Sequence, residues 1–218
     1  MTDPMEQEFF EFTQTLIHSR QNVSPKRLVA PAPTGELLNT ILNSAGAAPD
    51  HGQLTPWRFV VVPGTQRERL ADVFAQALLE RDPQASELQI ANAREKAHRA
   101  PFLMLAIAKL NDTAAESSAV PGRGGHHPQA TEADIHDAER LVSLGCAIQN
   151  ILLSANAAGF GTGITSGQAM GSRPLRDLFG LTANEQAVCC VNIGTVTKVK
   201  PPRLRPDTAT YVTWLNDH

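Results

Sequence analysis

The chain has little cysteine, little Tyr or Trp and no long apolar run. Its three cysteines are Cys146, Cys189 and Cys190; none forms a C-x-x-C pair, and the last two are adjacent within an apolar segment. This argues against a disulfide framework or a zinc site, and for free buried thiols in a reducing cytoplasm. One Tyr and two Trp are too few to interleave with basic residues as a platform for single-stranded nucleic acid. A net charge of −3 provides no global basic field, so no nucleic-acid partner is expected. No segment reaches the roughly 18 apolar residues of a membrane-spanning helix, and no membrane partner is expected. The N-terminal M-T-D-P-M-E-Q-E lacks the basic, apolar, small-residue order of a signal peptide. The expected location is cytoplasmic.

What is present reads as one domain over residues 1–218, without repeat or interdomain linker. Apolar spacing predicts an amphipathic helix over 5–19, carrying Phe9, Phe10, Phe12, Leu16 and Ile17. Further helices are predicted over 34–46, from Thr65 toward Pro83, and over 84–97, 134–158 and 172–179. Thr65 with Glu68, and Thr182 with Glu185, have the spacing of capping boxes. Strands are predicted at 58–62, 102–110, 162–166 and 187–194. The run F-L-M-L-A-I-A-K-L from Phe102 is too continuous for a half-exposed strand and fits a central one covered on both faces. Residues 111–131 read as a long loop. The tail, 195–218, is rich in Pro and Arg and has an apolar end at Tyr211–Leu215, which should dock. The result is an α/β or α+β chain with four or five short strands. Gly159, Gly161 and Gly163 follow a long helix instead of a first strand, so they are weak evidence for a dinucleotide fold.

The segment Ala48–Val62, A-P-D-H-G-Q-L-T-P-W-R-F-V-V-V, is a polar loop pinned to the mouth of a strand, a common setting for a site. Hydrolysis through a triad is not expected: Ser166 lacks the G-x-S-x-G elbow, and Asp50 and His51 are sequence neighbours. A metal site is not expected either. His126, His127 and His136 lack the H-E-x-x-H arrangement, and no cysteine pair joins them. Arg20, and Arg203 and Arg205 in P-P-R-L-R-P, suit a phosphate, because guanidinium donates two parallel hydrogen bonds. Arg58 reads as a structural ion-pair partner.

Taken in order, these segments resemble the nitroreductase family, and most closely the small bacterial branch with A-P-D-H-x-x-x-x-P-W-R-F. The resemblance rests on P-A-P-T-G-E (31–36), A-P-D-H-G-Q-L-T-P-W-R-F (48–59), G-F-G-T-G-I-T-S-G (159–167) and N-I-G-T (192–195) followed by R-L-R-P. It implies an α+β fold: a mixed, mainly antiparallel sheet wrapped by helices, in an intertwined homodimer with a C-terminal extension that embraces the partner. It implies FMN held between subunits and NAD(P)H as electron donor. The cofactor-binding positions it implies are Arg20, Gln21 and Asn22 after the first helix, Pro49, Asp50, His51 and Gln53 from the other subunit, Ile164, Thr165, Ser166 and Gly167 beside the ring, and Arg203 and Arg205 from the tail. Gln21 and Asn22 stand where the family has Arg and Ser, and Ile164-Thr165 where close relatives have Trp-Arg. The implied chemistry is a ping-pong transfer of hydride from NAD(P)H through flavin N5 to a nitroaromatic, quinone or similar electrophile. No side-chain nucleophile is needed, because the flavin carries the chemistry. The alternatives are non-reductive flavin chemistry, such as fragmentation or dehalogenation, and a flavin- or nucleotide-binding protein without turnover.

Overall fold

The computed structural model describes residues 3–111, 135–201 and 203–215. The expected 111–131 loop, with His126 and His127, lies outside the described residues except for Asn111. The helices are α1 (Pro4–Ser19), α2 (Gly35–Asn43), α3 (Arg67–Arg81), α4 (Glu87–Glu95), α5 (Asp137–Ala157) and α6 (Arg173–Phe179). The strands are β1 (Leu28–Val29), β2 (Trp57–Val61), β3 (Phe102–Lys109), β4 (Gly161–Thr165) and β5 (Glu185–Val196).

β5 is the hub of the sheet. Its first part pairs with β3, its residues Cys190–Gly194 pair with β4, and its last two residues pair with β1; β2 flanks β3. All of these pairings are antiparallel. β3 is buried over its first seven residues, as its continuous apolar run implies. Alternation explains where they go. Phe102, Met104, Ala106 and Ala108 pack with Leu144, Ile148, Ile151 and Leu152 of α5 and Ile41 of α2. Leu103, Leu105 and Ile107 pack on the other side with Leu70 and Phe74 of α3, Ala93 of α4 and Leu175 of α6. Helices thus cover both faces.

Several local expectations are corrected. α3 is preceded by a 3-10 turn over Gly64–Gln66 and carries no side-chain cap, so Thr65 and Glu68 do not form a box. The Glu185 carboxylate does accept from the Thr182 N–H, but it opens β5 instead of a helix. The capping box of α4 is Ser86 with Gln89. The 58–62 segment, which reads in sequence as a buried strand, is the edge strand β2, paired on one side by β3 and only partly buried. α1 forms as expected, yet none of its residues is buried: Phe9 is 73% exposed, and Phe10 and Phe12 face outward with it.

Two backbone approaches position the later site. The N–H of Val23 donates to the Thr162 carbonyl at 2.8 Å, and Asn22 forms a parallel bridge with Thr162. Gly163 makes this possible, since a Cβ there would collide with the carbonyl oxygen of Val23. In the core, the buried Arg67 donates to the carbonyls of Val62, Ala97 and Pro101, which fastens α3 to the chain leaving β2 and to the chain entering β3.

Candidate functional site

The segment after α1 and the end of β4 meet. The N–H of Ile164 donates to Asn22 Oδ1 at 2.8 Å, which locks the Arg20–Asn22 segment against the Ile164–Gly167 turn. The turn is exposed. Ile164 spends its N–H on Asn22, whereas the N–H groups of Ser166 and Gly167 have no partner among the described residues. They form a pair of backbone donors at the end of a strand. Buried Asn192 of β5 braces the turn from below. Its amide donates to the Gly163 carbonyl and to Thr165 Oγ1, both at 3.2 Å. Asn192 is not among the residues expected at the site from sequence, although a lone amide inside the apolar run A-V-C-C-V-N-I-G is a legible signal.

The tail returns to the same place. Arg205 Nη2 donates to the Arg20 carbonyl at 2.9 Å. Burial first, and the neighbouring Arg205 charge second, hold the Arg20 guanidinium below its ordinary pKa. Among the described residues, neither arginine pairs with a carboxylate. Two like charges are therefore gathered without an acid. Arg203 is exposed and makes no hydrogen bond or ion pair among the described residues, so the structure brings Arg205, and not Arg203, to Arg20. Gln21 sits apart from the turn, lining a small surface cavity with Arg27, Asn156 and Lys200.

The Pro49–Gln53 loop leads into β2 and reaches α5 through His51. Asp50 is its internal brace: the carboxylate accepts from the N–H of Leu54 at 3.1 Å and of Thr55 at 2.7 Å. That clamp holds Gly52, Gln53 and Thr55 at positive φ, a conformation that strains a β-branched residue. His51 Nδ1 lies 2.9 Å from Glu139 Oε2 on α5, and this contact draws the Glu139 carboxyl below its usual range. Pro49, His51 and Gln53 face outward, and no contact links them to Arg20 or Gly167 within this protomer.

A cavity of about 430 Å³ opens beside the turn. Thr165, Ser166 and Gly167 form one wall, α3 and α4 the other, and Leu103 and Cys190 the floor. Burial pushes the Cys190 thiol up to about 12, so it is an apolar floor group and not a nucleophile. Among the described residues, no cluster of His, Cys, Asp and Glu is arranged to hold a metal, and no helix is long and apolar enough to cross a membrane.

Arg58 forms the structural pair expected of it. Its Nε and Nη2 donate to the two oxygens of Glu185 at 2.6 and 2.9 Å. The Arg58 hydrogen bond, helped by the Thr182 N–H, lowers the Glu185 carboxyl to about 2. A carboxyl depressed on folding stabilises the protein above its unfolded pKa and loses that contribution as pH falls through its folded value. The contribution is therefore full above about pH 4.5 and fades toward about pH 2. Glu185→Gln is expected to cost about 2 kcal/mol at neutral pH and to flatten the acid limb of a melting-temperature profile. An unchanged acid limb would exclude this pair as its source.

With this geometry in view, the chain can be placed among known proteins. The family model described as Nitroreductase family matches residues 20–195, and the chain belongs to that family. It is 33% identical over 202 residues to a Haemophilus influenzae protein named "Putative NAD(P)H nitroreductase", covering 92% of this chain and 98% of the other. Its fold is similar to that of a nitroreductase-like family protein from Bacillus cereus, with TM-score 0.70, 18% identity and coverage of 93% and 95%. It is also similar to the FMN-dependent nitroreductase NfnB from Mycobacterium smegmatis in complex with NADPH, with TM-score 0.67, 17% identity and coverage of 95% and 100%. The α+β, nitroreductase-like fold expected from the resemblance is the fold observed.

Proposed function

We propose that the chain is an FMN-dependent oxidoreductase that takes hydride from NAD(P)H and delivers it to an electrophile such as a nitroaromatic or quinone, as a homodimer. One observation carries the reading: Arg20 and Arg205 are held together without a carboxylate, an arrangement that an anion such as the FMN phosphate would complete. The donor set around it fits the rest of that group. Asn22 and the Ser166 and Gly167 N–H groups offer neutral, fixed hydrogen bonds. The names of the Haemophilus influenzae relative and of the Mycobacterium smegmatis structure support the same choice of cofactor and donor.

When bound, FMN supplies a two-electron carrier reduced by NAD(P)H and reoxidised by the acceptor. For a nitro group the sum is ArNO2 + NAD(P)H + H+ → ArNO + NAD(P)+ + H2O. The protein's part is to bind and orient. Arg20 and Arg205 neutralise the phosphate, with Arg203 contributing charge from the tail. Asn22 would hold the chain that follows it, whereas Gln21 lines a separate surface cavity. Ile164 and Thr165 fix the turn, and the Ser166 and Gly167 donors stabilise negative charge at the ring's polar edge. Pro49, His51 and Gln53 close the site from a second copy, kept in shape by Asp50. The apolar surface left on one protomer supports that second copy: Phe9, Phe10 and Phe12 on α1, Val142 on α5, and Trp214 and Leu215 in the tail, the last 98% exposed. Patches of that kind mark interfaces.

Purified protein should be yellow, run as a dimer by light scattering, and bleach anaerobically on adding NADPH or NADH. A colourless monomer that takes up no FMN would overturn the reading. A bound flavin that neither nucleotide reduces would favour a binding protein without turnover. Gly167→Val separates fold from function. Gly167 has an extended backbone, and a Cβ there meets nothing, so melting temperature should hold. Flavin reduction should slow by about a hundredfold, since a small displacement of the reacting pair has that effect. A normal reduction rate would remove Gly167 from the site.

A further inference from the structure

Asn192 is 1% exposed and lies on β5, next to the strand that ends in the turn. In the β4–β5 register Gly163 stands directly opposite it, and Cys190 stands opposite Thr165. Gly163 has no side chain to occupy that face, so the Asn192 amide leans along the strand to its diagonal neighbour, Thr165. The amide nitrogen faces the carbonyl oxygens of Gly163 at 3.2 Å and Cys190 at 3.5 Å. Carbonyls only accept, so chemistry fixes which end of the amide points this way. The same nitrogen lies 3.2 Å from Thr165 Oγ1. An amide nitrogen only donates. Thr165 Oγ1 is therefore the acceptor, and its own proton is left for another partner. Among the described residues that proton has none. Thr165 is exposed and lines the cavity beside the turn, so its O–H is available to a bound molecule. A hydroxyl that accepts from a buried donor is polarised and becomes a stronger donor itself.

We infer that Asn192 is a positioning residue: it sets the Thr165 hydroxyl as a one-way donor to the ring bound at this turn, and the pair raises the reduction potential of that flavin. The inference rests on the oxidoreductase reading. Hydride from NAD(P)H carries two electrons and one proton to FMN and leaves NAD(P)+, so the ring gains a negative charge. A donor fixed before the reaction favours the charged, reduced ring over the oxidised one. The Ser166 and Gly167 donors belong to the backbone and survive any substitution. The Thr165 hydroxyl is a side-chain group, and Thr165→Val removes it with the shape of the residue kept.

The test is the midpoint potential of the flavin in the purified holoprotein, measured anaerobically against reference dyes. Thr165→Val should lower it by about 30 mV, which is a tenfold loss of preference for reduced flavin in a two-electron couple. Thr165→Ser keeps the hydroxyl and should hold the wild-type value. Asn192→Leu should shift the potential in the same direction as Thr165→Val. The T165V/N192L double variant should fall no further than T165V, because the amide acts through the hydroxyl. If Asn192→Leu does not fold, Asn192→Ser, too short to reach Thr165, takes its place. An unchanged potential in T165V, or an equal fall in T165S, overturns the inference. So does an Asn192 variant that lowers only the melting temperature, or a double variant whose shift is the sum of the single ones. A preparation that takes up no flavin fails the oxidoreductase reading and removes this inference with it. A reducible flavin with unshifted potentials removes the inference alone.

Discussion

An R20A/R205A double variant is expected to purify as folded, colourless protein. Arg20 is half-buried and Arg205 exposed, and the Arg205 guanidinium reaches the Arg20 carbonyl. Neither forms an ion pair that the fold would lose. Removing two mutually repelling charges should leave the melting temperature level or slightly higher. A hydrogen bond to a charged group contributes about 1.5–3 kcal/mol. Two of them convert to roughly 10²–10⁴ in the FMN dissociation constant, with some coupling because the two residues touch. Titrating FMN into flavin-free protein and following its fluorescence measures the change. Arg203→Ala is the contrast. Its effect should be several-fold smaller, because nothing in the structure ties Arg203 to the Arg20 segment. Unchanged affinity in the double variant would dismiss the arginine pair as the phosphate site.

Gly163→Ala should damage stability and cofactor binding together. A Cβ at this position meets the Val23 carbonyl oxygen well inside contact distance. The clash falls on backbone, which cannot rotate away as a side chain would. It falls between two bonds that seat the segment, Val23 N–H to the Thr162 carbonyl and Ile164 N–H to Asn22 Oδ1. Both must lengthen if the chains part. Overpacking of this kind, with hydrogen bonds lost, costs about 3 kcal/mol, or roughly 10 °C in melting temperature for a chain of this size. FMN affinity should fall with it, since Arg20 rides on the displaced segment. Wild-type melting in Gly163→Ala would show that the approach of residues 22–23 to β4 is looser than described. Paired with Gly167→Val, the substitution distinguishes two glycines four residues apart. One is required by the fold, and the other faces open space.

Much of the architecture was legible because its causes are local. The unbroken apolar run of β3 could be satisfied only between two covered faces, and the structure provides them. The apolar spacing of α5 forecast a helix with an inward face, and Leu144, Ile148, Ile151, Leu152 and Ala155 are buried on it, while the small residues Gly145, Ala157 and Ala158 stay exposed. The misreadings share one cause. Thr65 with Glu68, and Thr182 with Glu185, have the spacing of a helix cap, but Glu68 is claimed by Arg94 and Glu185 by Arg58, 26 and 127 residues away in sequence. Tertiary electrostatics outweighed a local signal.

The site divides along the same line. Of the motifs at 20–22, 48–59 and 159–167, the structure brings the first and the last together through Asn22 and Ile164. The motifs could not show that Asp50 turns inward to brace its own loop, nor that Asn192 supports Thr165 from the core.

By itself the sequence determined which segments become helix or strand, which family's motifs are present and which chemistries lack their residues. These follow from periodicity, hydrogen-bonding habit and residue type, all of which act over a few positions. Only the tertiary structure decided that Arg205 rather than Arg203 meets Arg20 across 185 residues, that the phenylalanines of α1 face away from their own core, and that two helix ends share one cavity mouth. Such meetings depend on the path of the whole chain, which the packing of both sheet faces fixes and no local pattern encodes.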